Sequence, residues 1–314
     1  MQAAVSPGLY AFFHHLIDYA GLFPPANLPL QEAISNFIRY QGEPEHWMLS
    51  RFILPAAKLD ELSQVLQNLT WDGALSFSVL GQGSAVDRFP AGVAADIQAV
   101  NTFRAGFGDR VQVEVYETRL PLPEHGDLDG VRELFAEVIP SLHGEGLFPF
   151  FETPFGAGWA SRAESLIFAL SLQPSELSGG FKLRTGGVTA DAFPTPEQVA
   201  FVLCACQEAQ VVMKCTAGLH HAMRSFRAEV GVKMHGFLNV FGAGLLAGRL
   251  EAAQVQAILE EEDPASFSFS GEGMFWRGFQ VQVDEMVSRR KKLVSFGSCS
   301  FDEPREDLGA MGLF

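Results

Sequence analysis

The chain has 314 residues and a formal net charge of −15 at pH 7. Such a length accommodates one large barrel or two smaller domains. The acidic balance argues against nucleic-acid binding, because no extended basic surface is available to neutralise phosphates. The one basic run, at 289–292, lies in a predicted amphipathic helix, where a solvated helix face accounts for it.

Cysteine spacing and hydropathy predict the compartment. The four cysteines, at 204, 206, 215 and 299, have neither zinc-finger nor redox-motif spacing, so we expect reduced thiols. No apolar run approaches the roughly 18 residues of a membrane span, and no positively charged leader is recognisable. We therefore expect a cytoplasmic protein that has no membrane partner.

Strand-like and helix-like segments alternate along the chain. Strands are predicted at 16–22, 48–54, 74–80, 111–118, 147–153, 181–185, 211–215 and 266–270. Helices are predicted at 30–39, 58–69, 93–103, 127–142, 162–172, 196–208, 237–246, 252–260 and 284–293. Alternation of this kind is typical of parallel strands joined by crossover helices.

Counting these units predicts an α/β fold, a (β/α)8 TIM barrel. We expect one barrel domain over residues 1–297 and a tail at 298–314 that is either mobile or docked. The strand at 16–22 has the weakest pattern. Without it, an open doubly wound sheet of seven strands is the alternative.

Two lysines near the ends of consecutive predicted strands carry the main chemical signal. Lys182 and Lys214 are separated by 32 residues (214 − 182), the length of one strand–helix repeat. A buried ammonium group is costly unless it is paired or deprotonated. Two such groups on neighbouring strands would repel each other and lower the pKa of at least one, which is how a nucleophilic amine is obtained at neutral pH.

Side-chain alternation predicts which residues face the barrel interior. On the fourth strand the inward residues are expected to be Gln112, Glu114, Tyr116 and Thr118. On the other strands they are expected to include Arg51, Ser76, Ser78, Glu152, Lys182, Arg184, Lys214 and Thr216. A purely structural interior would be mostly Val, Ile and Leu. The polar set therefore predicts an active site at the carboxyl ends of the strands, with a polar core network as the alternative.

Over residues 147–218 the chain resembles the Schiff-base (class I) aldolases, most closely the deoxyribose-phosphate aldolase family. The matching segments are Phe150-Phe-Glu-Thr-Pro154, Lys182-Leu-Arg-Thr-Gly-Gly-Val188, Thr195-Pro-Glu197 and Lys214-Cys-Thr-Ala-Gly218. The resemblance implies a barrel of the aldolase type in which Lys182 forms an imine with a carbonyl substrate and Lys214 lowers its pKa. The proton-transferring carboxylate would be Glu114 or Glu117 on the fourth strand, or Glu152.

The chain departs from the family at Arg184, where the family has a small serine. This additional cation predicts an anionic substrate that carries phosphate or carboxylate. Backbone N–H groups of glycine-rich turns could bind such an anion. The expected substrate contacts are Arg51, Arg184, Thr185, Gly186, Gly187, Thr216, Gly218, His220, His221, His235, Ser270 and Gly271.

Two other functions remain open at this point. His220, His221 and His235, together with Glu152, could bind zinc or iron in a metal-dependent lyase or hydrolase, although their spacing matches no helical metal motif. The imine mechanism needs no cofactor. The third candidate is a barrel that binds anions without catalysis. A small anionic molecule is the expected partner, and homo-oligomerisation is left open.

Overall fold

The computed structural model of the protein describes residues 5–83, 88–122 and 127–314. Eight parallel strands close into a barrel, which confirms the predicted (β/α)8 fold. Numbered along the chain, they are β1 Ile17–Tyr19, β2 Leu49–Pro55, β3 Leu75–Leu80, β4 Val111–Arg119, β5 Phe148–Glu152, β6 Gly180–Arg184, β7 Val212–Thr216 and β13 Leu293–Ser298. Two small antiparallel sheets lie between β7 and β13 in sequence, formed by β8 Ser225–Arg227, β9 Val232–Met234, β10 Phe267–Phe269, β11 Gly273–Trp276 and β12 Phe279–Gln282.

Nine of the described helices lie close to predicted positions, whereas α1 and α11 were not predicted. The described α-helices are α1 Pro7–Phe13, α2 Leu30–Tyr40, α3 Leu59–Leu66, α4 Phe89–Phe107, α5 Leu128–Gly144, α6 Trp159–Ser171, α7 Pro196–Glu208, α8 Phe237–Leu246, α9 Ala252–Leu259, α10 Val283–Arg290 and α11 Asp302–Ala310. Helix α7 begins where its sequence indicates, with Thr195 and Gln198 forming a reciprocal capping box. In the part of the chain covered by the structure, no helix is both long and apolar enough to cross a membrane.

The eighth barrel strand differs from the prediction. Residues 266–270 contain β10, which pairs antiparallel with β11 outside the barrel. The barrel is closed by β13, where Phe296 pairs with Ile17 on one side and with Cys215 on the other. Helix α10 ends at Arg290 rather than at 293. Lys291 and Lys292, which end the basic run, continue the amphipathic pattern beyond the helix. For this reason the sequence pattern did not reveal where the strand begins.

Phenylalanines fill the layer between the barrel and its helices. Phe151 on β5 packs against Phe135 on α5 with ring centroids 4.6 Å apart. Phe77 on β3 meets Phe103 on α4 edge to face at 5.5 Å. These rings are fully or almost fully buried. Because the apolar core lies on the outer face of the strands, the inner face is left for polar side chains.

The carboxyl-terminal segment is docked on the barrel. Ser298, the first residue of the predicted tail, belongs to β13. After it, Phe301 and Leu308 are fully buried. Helix α11 is also bonded to the barrel helices, since Tyr40 Oη on α2 donates to Asp302 Oδ2 at 2.6 Å. The segment therefore packs as part of the barrel domain.

Replacing Leu308 with alanine tests this docking. We expect Leu308→Ala to lower the free energy of unfolding by about 2–5 kcal/mol, because it opens a cavity in a fully buried contact. Denaturant unfolding measures the change. Glu306→Ala, an exposed position on the same helix, should stay within about 0.5 kcal/mol of the wild type. Equal, small effects of both variants would mean that the segment does not contribute to the fold.

Candidate active site

Lys182 and Lys214 lie side by side inside the barrel. They are register partners on β6 and β7, and 6% and 1% of their surfaces are exposed. Lysine is an uncommon residue at the axis of a barrel, where branched apolar side chains usually pack. Two neighbouring buried ammonium groups require compensating negative charge close by.

Glu117 on β4 supplies that charge to both lysines. Its Oε1 accepts a hydrogen bond from Lys214 Nζ at 2.5 Å, and its Oε2 lies 2.9 Å from Lys182 Nζ. Ser78 Oγ on β3 also donates to Oε1 at 2.6 Å. The carboxylate is fully buried and stands between the two ammonium groups.

Asp18 on β1 completes the surroundings of Lys214. Lys214 Nζ donates to Asp18 Oδ2 at 2.7 Å, and Ser295 Oγ on β13 donates to the same oxygen at 2.6 Å. The other oxygen, Oδ1, accepts from the backbone N–H of Arg51 at 3.1 Å. Lys214 is thus enclosed by two carboxylates from opposite parts of the barrel.

Glu152 at the end of β5 is the second carboxylate beside Lys182. Its Oε2 lies 3.3 Å from Lys182 Nζ, while Oε1 accepts from Arg184 Nε at 2.9 Å. Arg119, which is half exposed, approaches the same Oε1 at 3.4 Å. Lys182 therefore lies between Glu117 and Glu152.

The electrostatics of this network favour the charged forms of Glu117, Glu152 and Lys214. Burial alone would raise the pKa of Glu117, but Lys182 and Lys214 lower it well below its usual range. Burial likewise opposes ionisation of Glu152, yet Lys182 and Arg184 lower its pKa to about 2. Burial would lower the pKa of Lys214, but Asp18 and Glu117 outweigh that effect and raise it.

The charges inside the barrel balance. Lys182, Lys214 and Arg184 face an equal number of carboxylates, from Asp18, Glu117 and Glu152. The sequence predicted direct repulsion between the lysines and an excess of inward cations. The structure instead separates the two lysines by a carboxylate and pairs Arg184 with Glu152. Sequence reasoning missed Asp18, whose signal was a single acidic residue inside the apolar stretch of the first strand.

A β-bulge in β4 explains why Glu117, and not Glu114, joins the network. The neighbouring register pairs are Phe77 with Val113 and Ser78 with Val115, so Glu114 is the additional residue. A one-residue shift of register turns every later side chain to the opposite face of the sheet.

Simple alternation therefore failed in the second half of β4. Tyr116 and Thr118 were expected inside the barrel, but Tyr116 Oη donates to Asp96 on α4 at 2.8 Å, and Thr118 lies on the same outer side. Glu117 faces inward in their place. Candidates chosen from alternation alone included Glu114, which the structure places elsewhere.

Several predicted residues lie at the amino end of the barrel, away from the lysines. Glu114 is half exposed there and pairs with Arg51 at 2.9 Å, beside a separate cavity of about 830 Å³. Ser270 and Gly271 follow β10, and the carbonyl of Ser270 accepts from the N–H of Gly8 in α1. The side chains of these four residues do not contact Lys182, and Arg51 touches the network only through its backbone N–H, which bonds to Asp18.

A cavity of about 270 Å³ opens at the carboxyl end of the strands, above Lys182. Its lining residues are Ala20, Phe23, Pro24, Pro25, Ile53, Leu80, Lys182, Arg184, Gly187, Val188, Thr216, Ala217, Gly218, His220, Gly297 and Cys299. The predicted contacts Arg184, Gly187, Thr216, Gly218 and His220 are among them. Lys214 is not among them, and only 1% of its surface is exposed.

The loops after β6 and β7 meet at two glycines below this cavity. A Cβ atom on Gly218 would lie 2.7 Å from the Cα of Gly186, and the φ angle of Gly218 is +77°. Only glycine fits both requirements at this position. Thr185 Oγ1 bonds to the carbonyls of Thr216 and Ala217, so Thr185 and Gly186 shape the loops rather than line the cavity.

The alternative metal site of His220, His221, His235 and Glu152 is not assembled among the described residues, because these side chains have separate partners. His221 Nδ1 lies 3.1 Å from Asp307 on α11, and buried His235 contacts the carbonyl of Pro194 through Nε2 at 2.7 Å. Glu152 is engaged by Lys182 and Arg184. His220 alone remains at the cavity, next to Cys299 and Glu303.

Comparisons of the sequence with protein-family models and with curated proteins found no match. What the molecule can do is therefore argued from its fold and its side chains. Barrels of this kind are commonly enzymes, and their active sites lie at the carboxyl ends of the strands. The buried ionic network and the cavity of this protein both lie at that end.

Glu117→Gln tests the central role of the bridging carboxylate. Removing one partner of a buried ionic network leaves uncompensated charge, so we expect the free energy of unfolding to fall by about 3–5 kcal/mol. Glu114→Gln is the matched control on the same strand. It removes one member of a half-exposed pair with Arg51 and should cost about 0–1 kcal/mol. Similar costs for both variants would contradict the bridging role.

Stability should also fall in acid through Glu152. Because the pKa of its folded state is lowered from 4.5 to about 2, its contribution is fully present above 4.5 and is lost as the pH falls towards 2. We expect Glu152→Gln to have a shallower loss of stability across that interval than the wild type, measured by denaturant unfolding at each pH. Glu114→Gln controls for the change in total charge. If the stability of Glu152→Gln fell with pH as steeply as that of the wild type, Glu152 would not be the group responsible.

Proposed function

We propose that the protein is a lyase that breaks or forms a C–C bond through an imine between Lys182 and a small carbonyl compound. One observation carries the proposal: Lys182 is the buried amine that both lines the cavity and lies within about 3.3 Å of two carboxylates. An imine-forming enzyme needs this combination, namely an accessible amine with proton acceptors beside it.

Lys182 suits the role of nucleophile better than Lys214. Lys214 donates hydrogen bonds to Asp18 and Glu117, and its pKa is raised by them, so it is held as an ammonium ion. Its role in this proposal is electrostatic. It fixes the Glu117 carboxylate through Oε1 and leaves Oε2 facing Lys182.

The proton transfers can be assigned to the carboxylates beside Lys182. Glu152, 3.3 Å from Lys182 and with a pKa lowered less than that of Glu117, relays the proton that Lys182 must lose before its nitrogen attacks the carbonyl carbon. The same acid returns a proton as the carbinolamine loses water and becomes an iminium ion. The iminium ion accepts the electron pair of the bond between the α and β carbons and becomes an enamine, while the β-hydroxyl proton goes to a carboxylate and the departing fragment leaves as a carbonyl compound. Protonation of the enamine and hydrolysis then release the second product and restore the lysine.

The cavity suggests the class of substrate. A volume of about 270 Å³ suits a molecule of a few carbon atoms. Arg184, one third exposed at the cavity, is placed to contact a phosphate or carboxylate of the substrate, with Gly187 and Gly218 beside it. Two of the four segments that resemble deoxyribose-phosphate aldolases, at 182–188 and 214–218, border this cavity, which is further support for the proposal.

Reductive trapping tests the imine. The protein is incubated with small aldehydes and ketones that carry phosphate or carboxylate, then treated with borohydride. We expect a covalent adduct in the intact mass and peptide mapping to assign it to Lys182. Because mapping uses the wild-type protein, the result does not depend on the folding of any variant.

Two variants test whether the adduct forms on Lys182 specifically. Lys182→Met removes the amine but keeps the length of the side chain, and it should abolish the adduct. Lys58→Met, a half-exposed lysine outside the barrel interior, should retain it. An adduct spread over surface lysines, or one unchanged in Lys182→Met, would refute the proposed mechanism.

A further inference from the structure

A second cluster of reactive side chains lies on the wall of the cavity away from Lys182. It consists of His220, after β7, Cys299, directly after β13, and Glu303 in the first turn of α11. His220 Nδ1 is 3.5 Å from Cys299 Sγ and 3.5 Å from Glu303 Oε2. The three ligand atoms all lie within 4.8 Å of one another.

A single hydrogen bond does not account for this arrangement. A single ring nitrogen of His220 faces both partners, so one N–H cannot serve the thiol and the carboxylate equally well. A nucleophilic relay would place the cysteine and the carboxylate on different ring nitrogens. Glu303 Oε2 is buried and has no hydrogen-bond donor in the part of the chain that the structure describes.

Two of the three ligand separations match the shell of a tetrahedral zinc ion, and the third, between Cys299 Sγ and the Glu303 carboxylate, lies within 4.8 Å. With Zn–S near 2.3 Å and Zn–N and Zn–O near 2.1 Å, a tetrahedral angle places sulfur and nitrogen about 3.6 Å apart and nitrogen and oxygen about 3.4 Å apart. The observed separations are both 3.5 Å. Thiolate, imidazole and carboxylate together form a ligand set that zinc accepts.

We propose that His220, Cys299 and Glu303 form a zinc site whose fourth position opens into the cavity. Three protein ligands with one open position are typical of zinc sites that bind a water molecule or a substrate oxygen, whereas structural sites are closed by four ligands. His220 and Cys299 line the same cavity as Lys182. The ion would bind an oxygen atom of the molecule held there, such as a hydroxyl or carboxylate oxygen. The site does not depend on the imine mechanism.

Cobalt substitution tests this site directly. The full-length protein is freed of metal with a chelator and titrated with Co²⁺. We expect about one ion per chain, tetrahedral d–d bands and a thiolate-to-cobalt charge-transfer band. Zinc should abolish these bands by displacement. The measurement needs no substrate, and its failure would leave the trapping of Lys182 unaffected.

Ligand variants identify the thiolate and the carboxylate. Cys299→Ser should remove the charge-transfer band, and Glu303→Gln should weaken zinc binding at least about tenfold, since even residues that only support metal ligands contribute that much. Cys204→Ser, a half-buried cysteine on α7, is the matched control and should bind as the wild type. Absence of the charge-transfer band in the wild type, or its persistence in Cys299→Ser, would overturn the proposal.

Discussion

The placement of Glu117 between Lys182 and Lys214 is the constraint on which the interior of the barrel depends. Two ammonium groups on adjacent strands cannot be buried together without negative charge between them. The two oxygens of Glu117 divide this task, because Oε1 binds Lys214 and Ser78 while Oε2 faces Lys182. The geometry of β4 is therefore tied to that of β6 and β7, and the bulge at Glu114 is what brings this carboxylate to the interior.

The interior of the barrel can be polar because the apolar core lies between the strands and the surrounding helices. Phenylalanines such as Phe77 and Phe151 cover the outer face of the strands and pack against helix rings, so the layer between barrel and helices supplies the hydrophobic stabilisation. The axis of the barrel then carries six charged groups that satisfy one another. This division explains why an interior that is costly in itself persists in a stable fold.

The sequence predicted the fold class correctly, but a shift of register within one strand made part of the site prediction wrong. Lys182 and Glu152 face the barrel interior as predicted, because β5 and β6 are regular strands in which side chains alternate between the two faces. A bulge leaves no mark in a pattern such as that of β4, so the sequence named both Glu114 and Glu117 as candidates and alternation favoured Glu114. The predicted number of barrel strands was right, although the eighth strand was placed at 266–270 instead of at β13. Both segments are short and apolar, and only their strand pairing shows which of them belongs to the barrel.

The carboxyl-terminal segment connects stability to the cavity. Helix α11 is bonded to α2 through Asp302 and to the loop after β7 through Asp307, which accepts from the N–H of Ala222 at 2.8 Å. The same helix carries Glu303 to within 3.5 Å of His220. Helix α11 does not line the cavity itself, but it contacts His220, which does, so the position of His220 is tied to the docking of α11. The Lys182 network is formed by residues of the barrel strands and has no contact with α11. Undocking of α11 would therefore disturb His220 and leave the network in place.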